Sequence, residues 1–366
     1  MNENEELSKP PDMLDWRWQL RNRIENISGL EKYIDIDDVE KESLKECLKS
    51  FRMAITPYYA ALMDKTDRNC PIRLQAVPTF GELVTCSDDM EDPLSEDSQS
   101  PVEGIVHRYP DRVLFLTTFR CAMYCRHCTR RRIVGSGDAE LDHSQINDCV
   151  EYINDNEEIK DVLISGGDPL ILSDGKLEYI LKSLREIDHV EIIRIGTRVP
   201  VVLPMRIDEE LVLMLKKYHP LYINTHFNHP KELTPQACTA LAKLADAGIP
   251  LGNQTVLLKG INNDPALLMK LFGMLLKNRV KPYYLYQCDL AKGISHFRTS
   301  VDEGLEIMKN LQGNISGMAI PKYVIDAPGG GGKIPILPNY YRIEDDMVIL
   351  ENYRNEIYSY PNRIRV

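Results

Sequence analysis

The chain has no long hydrophobic run. Its longest apolar stretches, such as VLFL at 113–116, fall far short of the ~20 residues that cross a bilayer. The opening MNENEELSKPPDMLDW has neither the basic region nor the apolar region of a secretory leader. Positive charge is not in excess. With 44 Lys and Arg against 55 Asp and Glu, the net charge is −11, a poor match for nucleic acid or an anionic membrane. A paired cysteine framework is also missing. There are nine cysteines, and Cys47, Cys70, Cys86, Cys149, Cys238 and Cys288 are scattered and read as reduced, buried small residues. These absences point to a cytoplasmic protein that binds neither nucleic acid nor membrane. What is present is ordinary for a globular chain, 43% hydrophobic and 27% charged. At 366 residues it is long enough to bury its own core, as one large domain with an appendage or as two.

Three regions follow from the hydrophobic pattern. Residues 1–100 show apolar positions at helical spacing and end in the acidic stretch SDDMEDPLSEDSQSP (87–101), read as an exposed connector. Over 101–312, short apolar strands alternate with amphipathic helices. Strands are expected at 112–118, 161–167, 190–198, 221–227, 252–258 and 281–287, and helices near 143–155, 175–186, 207–218, 234–247, 265–278 and 301–312. Such an alternation implies a parallel sheet with right-handed crossovers. Six units are too few for an eight-stranded barrel, so the expected fold is α/β, a partial (β/α)6 barrel with its polar motifs at the strand C-termini. Residues 313–366 break the pattern and are expected to pack across the barrel opening.

Two motifs carry chemistry. CAMYCRHCTRRR, just after the first strand, places Cys121, Cys125 and Cys128 in a CxxxCxxC array. Three thiolates can hold three irons of a [4Fe–4S] cluster and leave the fourth open. A structural zinc wants four ligands, and His127 inside the array is the alternative fourth. The second motif is DAPGGGGKIPILPNY (326–340). Four consecutive glycines are costly to order and mark a mobile loop or a close backbone approach. Lys333 follows them, and a site-tuned lysine can form a Schiff base with an aldehyde such as pyridoxal phosphate. A phosphate-cradling or merely flexible loop is the competing reading. A Walker A loop is not, because Lys333 is followed by Ile334.

The cysteine array, together with Ser165-Gly166-Gly167-Asp168 at the end of the second strand, resembles the radical S-adenosylmethionine (SAM) superfamily. The segments RYPDRVLFL, CRHCTRRR, VEIIRIGTR, NTHFNHP, GNQTVLL, KPYYLYQCDL, GISHFRT and IDAPGGGGK, spread over 102–360, resemble the lysine 2,3-aminomutase family. The resemblance implies a [4Fe–4S] cluster, SAM and pyridoxal phosphate as cofactors. Lys333 then matches the lysine that holds pyridoxal phosphate. Arg108 and Arg112 match arginines near its phosphate, and Tyr286 matches a tyrosine beside it. Ser165, Gly166, Gly167, Asp168, His226 and Gln254 match groups around SAM, the glycines letting backbone approach its amino group. Arg130 matches the arginine that grips the substrate α-carboxylate, where a planar fork suits the task.

Asp289 and Asp326 match two aspartates around the side-chain ammonium of lysine, and an unpaired buried ammonium would be very costly. Asp289 also has a plain alternative as a helix N-cap. The implied reaction is the conversion of L-lysine to β-lysine, with an external electron donor for the cluster and a homo-oligomeric assembly. Arginine or glutamate as substrate, or a non-catalytic iron–sulfur or zinc protein, are the alternatives. Relatives often bind an intersubunit zinc through a loop cysteine and a C-terminal cysteine tail. Here the loop position is Asp264 and no tail is seen, so that zinc is not expected.

Overall fold

The computed structural model describes residues 14–135 and 140–362. The polar start at 1–13 and the last four residues lie outside the described residues. A nine-stranded sheet forms the frame, in the order β1 (Ile105–Tyr109), β2 (Arg112–Thr118), β3 (Asp161–Gly166), β4 (Ile192–Gly196), β5 (Leu221–Thr225), β6 (Leu251–Leu257), β7 (Val280–Gln287), β8 (Lys322–Ala327) and β9 (Gly332–Pro335). The seven strands β2 to β8 are parallel. The edge strands β1 and β9 run antiparallel to their neighbours. The order does not return from β9 to β1 among the described residues, so the sheet curls into a partial barrel.

The six βα units stand where the periodicity places them. Each crossover helix starts at a residue whose side chain accepts a hydrogen bond from the first turn: Asp142, Ser173, Asp208, Thr234, Asp264 and Ser300. Each such cap contributes about 1 kcal/mol and sets where the strand-to-helix loop ends. Asp264 is thereby engaged with the Leu267 N–H at 2.7 Å.

Alternation along the strands separates core from interior. In β3 and β4, Val162, Ile164, Ile193 and Ile195 are buried against the helices. The intervening Asp161, Ser165, Arg194 and Gly196 face a cavity. Leu163 of β3 faces the cavity too, and the inward side chains together leave the barrel axis hollow. The apolar core lies outside the sheet and is continuous with Leu30, Leu44, Tyr59 and Ile72 of the N-terminal region.

Four features depart from the sequence expectation. The N-terminal region is mostly short helical turns, its one long helix being Asp38–Ser50. The acidic stretch 87–101 is only partly exposed. Met90 bridges to Ala291, and Glu96 is only 5% exposed. Strands β1, β8 and β9 are additional, and all three join the barrel sheet. Finally, β10 (Tyr341–Glu344), β11 (Met347–Glu351) and β12 (Ile357–Pro361) form a separate sheet. Its Tyr341, Ile343, Ile357 and Tyr360 are exposed, and none of its residues lines the cavity. Only the β8–β9 hairpin reaches the barrel mouth. No helix among the described residues is long and apolar enough to cross a membrane.

Candidate active site

The barrel encloses a cavity of about 550 Å³. Every residue assigned to the site from sequence lines it: Arg108, Arg112, Cys121, Cys125, Cys128, Arg130, Ser165, Gly166, Gly167, Asp168, His226, Gln254, Tyr286, Asp289, Asp326 and Lys333. Most come from the C-terminal ends of parallel strands and the loops after them, where a parallel α/β sheet opens to a ligand. Arg108 and Arg112 come instead from the antiparallel β1 and the start of β2, and Lys333 from β9.

The cysteine loop follows β2 and is fastened to the N-terminal region. Arg23 donates to the Cys121 carbonyl at 2.8 Å. The N–H groups of Tyr124 and Arg126 donate to the Ala54 and Gln75 carbonyls. Arg126 is 2% exposed and pairs with Glu82, which Arg131 also reaches. Two of the cationic residues flanking the array are therefore structural. Burial pushes the Cys121 thiol up, and it pushes Cys128 to about 11, with the neighbouring cysteines adding to both. Thiols held that close and that dry ionise when a cationic centre joins them. Among the described residues only Cys86, Asp88 and Asp89 bring three possible ligand atoms within 4.8 Å of one another. At least one sulfur pair of the array therefore lies more than 4.8 Å apart, wider than the roughly 3.8 Å spacing around one tetrahedral zinc. His127 donates no fourth ligand to them: it faces Asn228 through Nε2, and its Nδ1 is buried without a partner.

The glycines of SGGD are required by the packing of the backbone around them. A Cβ at Gly166 would lie 2.2 Å from the Thr118 carbonyl oxygen, and one at Gly167 would lie 1.9 Å from that of Arg120. The end of β3 packs on the backbone that launches the cysteine loop. Asp168 accepts from the Thr197 hydroxyl and the Arg198 N–H, each at 2.7 Å, and from Leu170 N–H. Its carboxylate ties β3 to the loop after β4, and burial raises it to about 6. His226, pushed down to about 4 by burial, hydrogen-bonds Gln254 and is neutral at pH 7.

The opposite end of the cavity is ionic. Lys333 Nζ lies 3.3 Å from the Asp326 carboxylate and 5.6 Å from the Tyr286 ring centroid. Its backbone N–H donates to the Tyr109 hydroxyl at 2.8 Å. That bond joins the two sheet edges, and a Cβ at Gly332 would meet the same hydroxyl at 2.7 Å. Arg108 lies 3.8 Å from Asp326, and Arg112 stacks on Tyr109. Asp289 is not a helix cap, since the next helical turn begins at Ser295 with Ile294 before it. Burial first, then the nearby Asp326 charge, raises Asp289 to about 7. Arg130 forms a fork with Glu96, with Nε 2.8 Å from Oε2 and Nη2 2.6 Å from Oε1. Glu96, Tyr109 and Arg198 are cavity residues to which the sequence reading assigned no role. Glu96 sits in a stretch whose composition reads as solvated, so no local signal marked it.

A hollow partial (β/α) barrel whose first parallel strand runs into a CxxxCxxC loop defines the radical SAM class of enzymes, and the model of the radical SAM superfamily matches residues 115–272. The model described as lysine-2,3-aminomutase matches residues 308–364. Over 354 residues the chain is 54% identical to the L-lysine 2,3-aminomutase of Clostridium subterminale, covering 96% of this chain and 85% of that one. It is 56% identical to the enzyme of that name from Acetoanaerobium sticklandii, covering 95% and 84%. The glutamate 2,3-aminomutase of Clostridioides difficile is 50% identical, covering 94% and 82%. The chain belongs to the lysine 2,3-aminomutase family, and it is an isomerase.

Proposed function

We propose that this chain converts L-lysine to β-lysine. The observation that carries the reading is the pair Asp289 and Asp326 at the Lys333 end of the cavity. The side-chain ammonium of lysine is the chemical equal of Lys333 Nζ, the cation that Asp326 holds. A second carboxylate, as in glutamate, would meet Asp289, Asp326 and Glu96 with no free cation among those three, and like charges there are costly.

When bound, a [4Fe–4S] cluster reductively cleaves SAM to give a 5′-deoxyadenosyl radical, and pyridoxal phosphate carries the migrating amino group and spreads the unpaired electron. The residues fit these groups. Cys121, Cys125 and Cys128 supply three thiolates. Ser165, Gly166, Gly167 and Asp168 form one wall for SAM, and neutral His226 with Gln254 forms another. Arg108 and Arg112 suit a phosphate, and Tyr286 presents its face beside Lys333. Arg130 offers the α-carboxylate the donors that Glu96 leaves over, its Nη1 included. The two aspartates fix the far end of the substrate, so its β-carbon is held in one place, as hydrogen abstraction demands. The β8–β9 turn and the stretch 87–101 flank the cavity and help keep water out.

The cluster needs an electron donor from outside the chain. The exposed apolar face of β10–β12 supports a homo-oligomer, and the reduced cysteines support a cytoplasmic setting. The test is an anaerobic assay of the protein reconstituted with iron, sulfide, pyridoxal phosphate, SAM and a strong reductant. L-lysine, L-arginine and L-glutamate are supplied in parallel. β-Lysine is expected. β-Arginine or β-glutamate as the main product would overturn the assignment of the aspartate pair.

A further inference from the structure

Arg198 follows the end of β4 and is 8% exposed. Its Nη1 lies 2.7 Å from the Cys125 sulfur. Its Nη2 donates to Gln75 Oε1 at 2.6 Å and to Glu232 Oε1 at 2.8 Å. Those two acceptors are themselves held. The Asn228 amide donates to Gln75, and Glu232 accepts from the Tyr59 hydroxyl and from the N–H groups of Asn228 and His229. The backbone N–H of Arg198 is fastened to Asp168. The guanidinium therefore has no freedom to turn away, and the edge that remains faces a cysteine of the array.

We propose that Arg198 is a positioning residue for the iron–sulfur centre, fixing the Cys125 side chain and stabilising the reduced cluster through a charged hydrogen bond to its sulfur. This rests on reading Cys121, Cys125 and Cys128 as cluster ligands. Reduction adds one electron from the external donor and makes the centre more negative by one charge. A cation at hydrogen-bond distance from a ligand sulfur stabilises that added charge more than it stabilises the oxidised state. Hydrogen bonds to the sulfurs and local charge are among the terms that set a cluster's potential, and burial keeps the interaction from being screened. Glu232 offsets part of the effect, because it pairs with the far edge of the same guanidinium.

A purely structural Arg198 would tie the N-terminal region to the barrel and leave the potential alone. The two roles separate in a redox titration of the reconstituted protein without SAM, following the electron paramagnetic resonance signal of the reduced cluster. Removing Arg198 alone strands a buried Glu232 and threatens folding. The variants are therefore the charge-neutral double change Arg198→Gln with Glu232→Gln, and Arg198→Lys.

In the double variant the reduced-to-oxidised ratio at fixed potential should fall at least tenfold, a midpoint about 59 mV lower for one electron. Arg198→Lys keeps the charge but loses the fork, so its midpoint should fall by less. If the double variant does not hold iron, the lysine variant alone decides, and a wild-type midpoint there overturns the proposal. An unchanged midpoint in an iron-replete double variant overturns it too, including where SAM affinity falls, which would place Arg198 on SAM instead. Wild-type protein that takes up no iron would defeat the cluster reading itself, a result distinct from any shift in midpoint.

Discussion

At the cysteine end of the cavity, buried arginines meet buried glutamates that nothing else competes for: Arg126 and Arg131 on Glu82, Arg198 on Glu232. At the lysine end the ion pairs join groups that a ligand would want for itself: Lys333 with Asp326, Arg108 with Asp326, Arg130 with Glu96. The first arrangement is a scaffold. Breaking one partner of a buried pair costs roughly 3–5 kcal/mol, so the cysteine loop is held whether or not a cofactor is present. The second arrangement keeps the buried charges of the proposed cofactor and substrate site compensated by one another.

Four experiments bear on this contrast. Cys125→Ala should have the largest effect: loss of the brown cluster absorbance and of SAM cleavage, with β-lysine formation undetectable. SAM cleavage that survived would remove Cys125 from the array. Asp326→Asn strips the substrate ammonium of a buried partner, and kcat/KM for lysine should fall a hundredfold or more, from roughly 3–5 kcal/mol. Cluster absorbance and SAM cleavage should be untouched, and an unchanged kcat/KM would end its role in recognition. Glu96→Gln should raise the KM for lysine about tenfold, on the scale of one charged hydrogen bond. It should also relax the preference against glutamate, whereas equal effects on both substrates would make Glu96 merely structural.

The smallest effect is in pH. Asp289, raised to about 7, carries a proton below that value and cannot hold an ammonium strongly. Lysine capture should therefore strengthen several-fold between pH 6 and 8, and Asp289→Asn should flatten that limb. A limb kept in the variant would belong to another group. The sign for stability is opposite. The folded state binds the proton more tightly than the unfolded chain, so this group's contribution falls as pH rises from the ordinary carboxylate range through 7.

Much of this was legible in the residues. The hydrophobic pattern located the six βα units to within a few residues, because periodicity is a local property. All the residues carried over from family motifs face one cavity, most of them because the strand ends of a parallel sheet converge, and Arg108, Arg112 and Lys333 because the two sheet edges meet there. The misses have physical causes. β1, β8 and β9 all flank proline-containing or glycine-rich turns, so their pattern does not stand out. Glu96 and Arg198 carry no signal of their own, and each matters only through a partner 34 or 73 residues away.

The sequence by itself determined the alternating frame, the three thiols, the lysine after its glycines and the two aspartates, since these are matters of residue type and spacing along one chain. Only the tertiary structure decided which charge answers which. It set Glu96 on Arg130, Asp326 on Lys333 and Arg198 on Cys125, because in a buried cavity the cost of an unpaired charge is settled by whatever the fold brings alongside it.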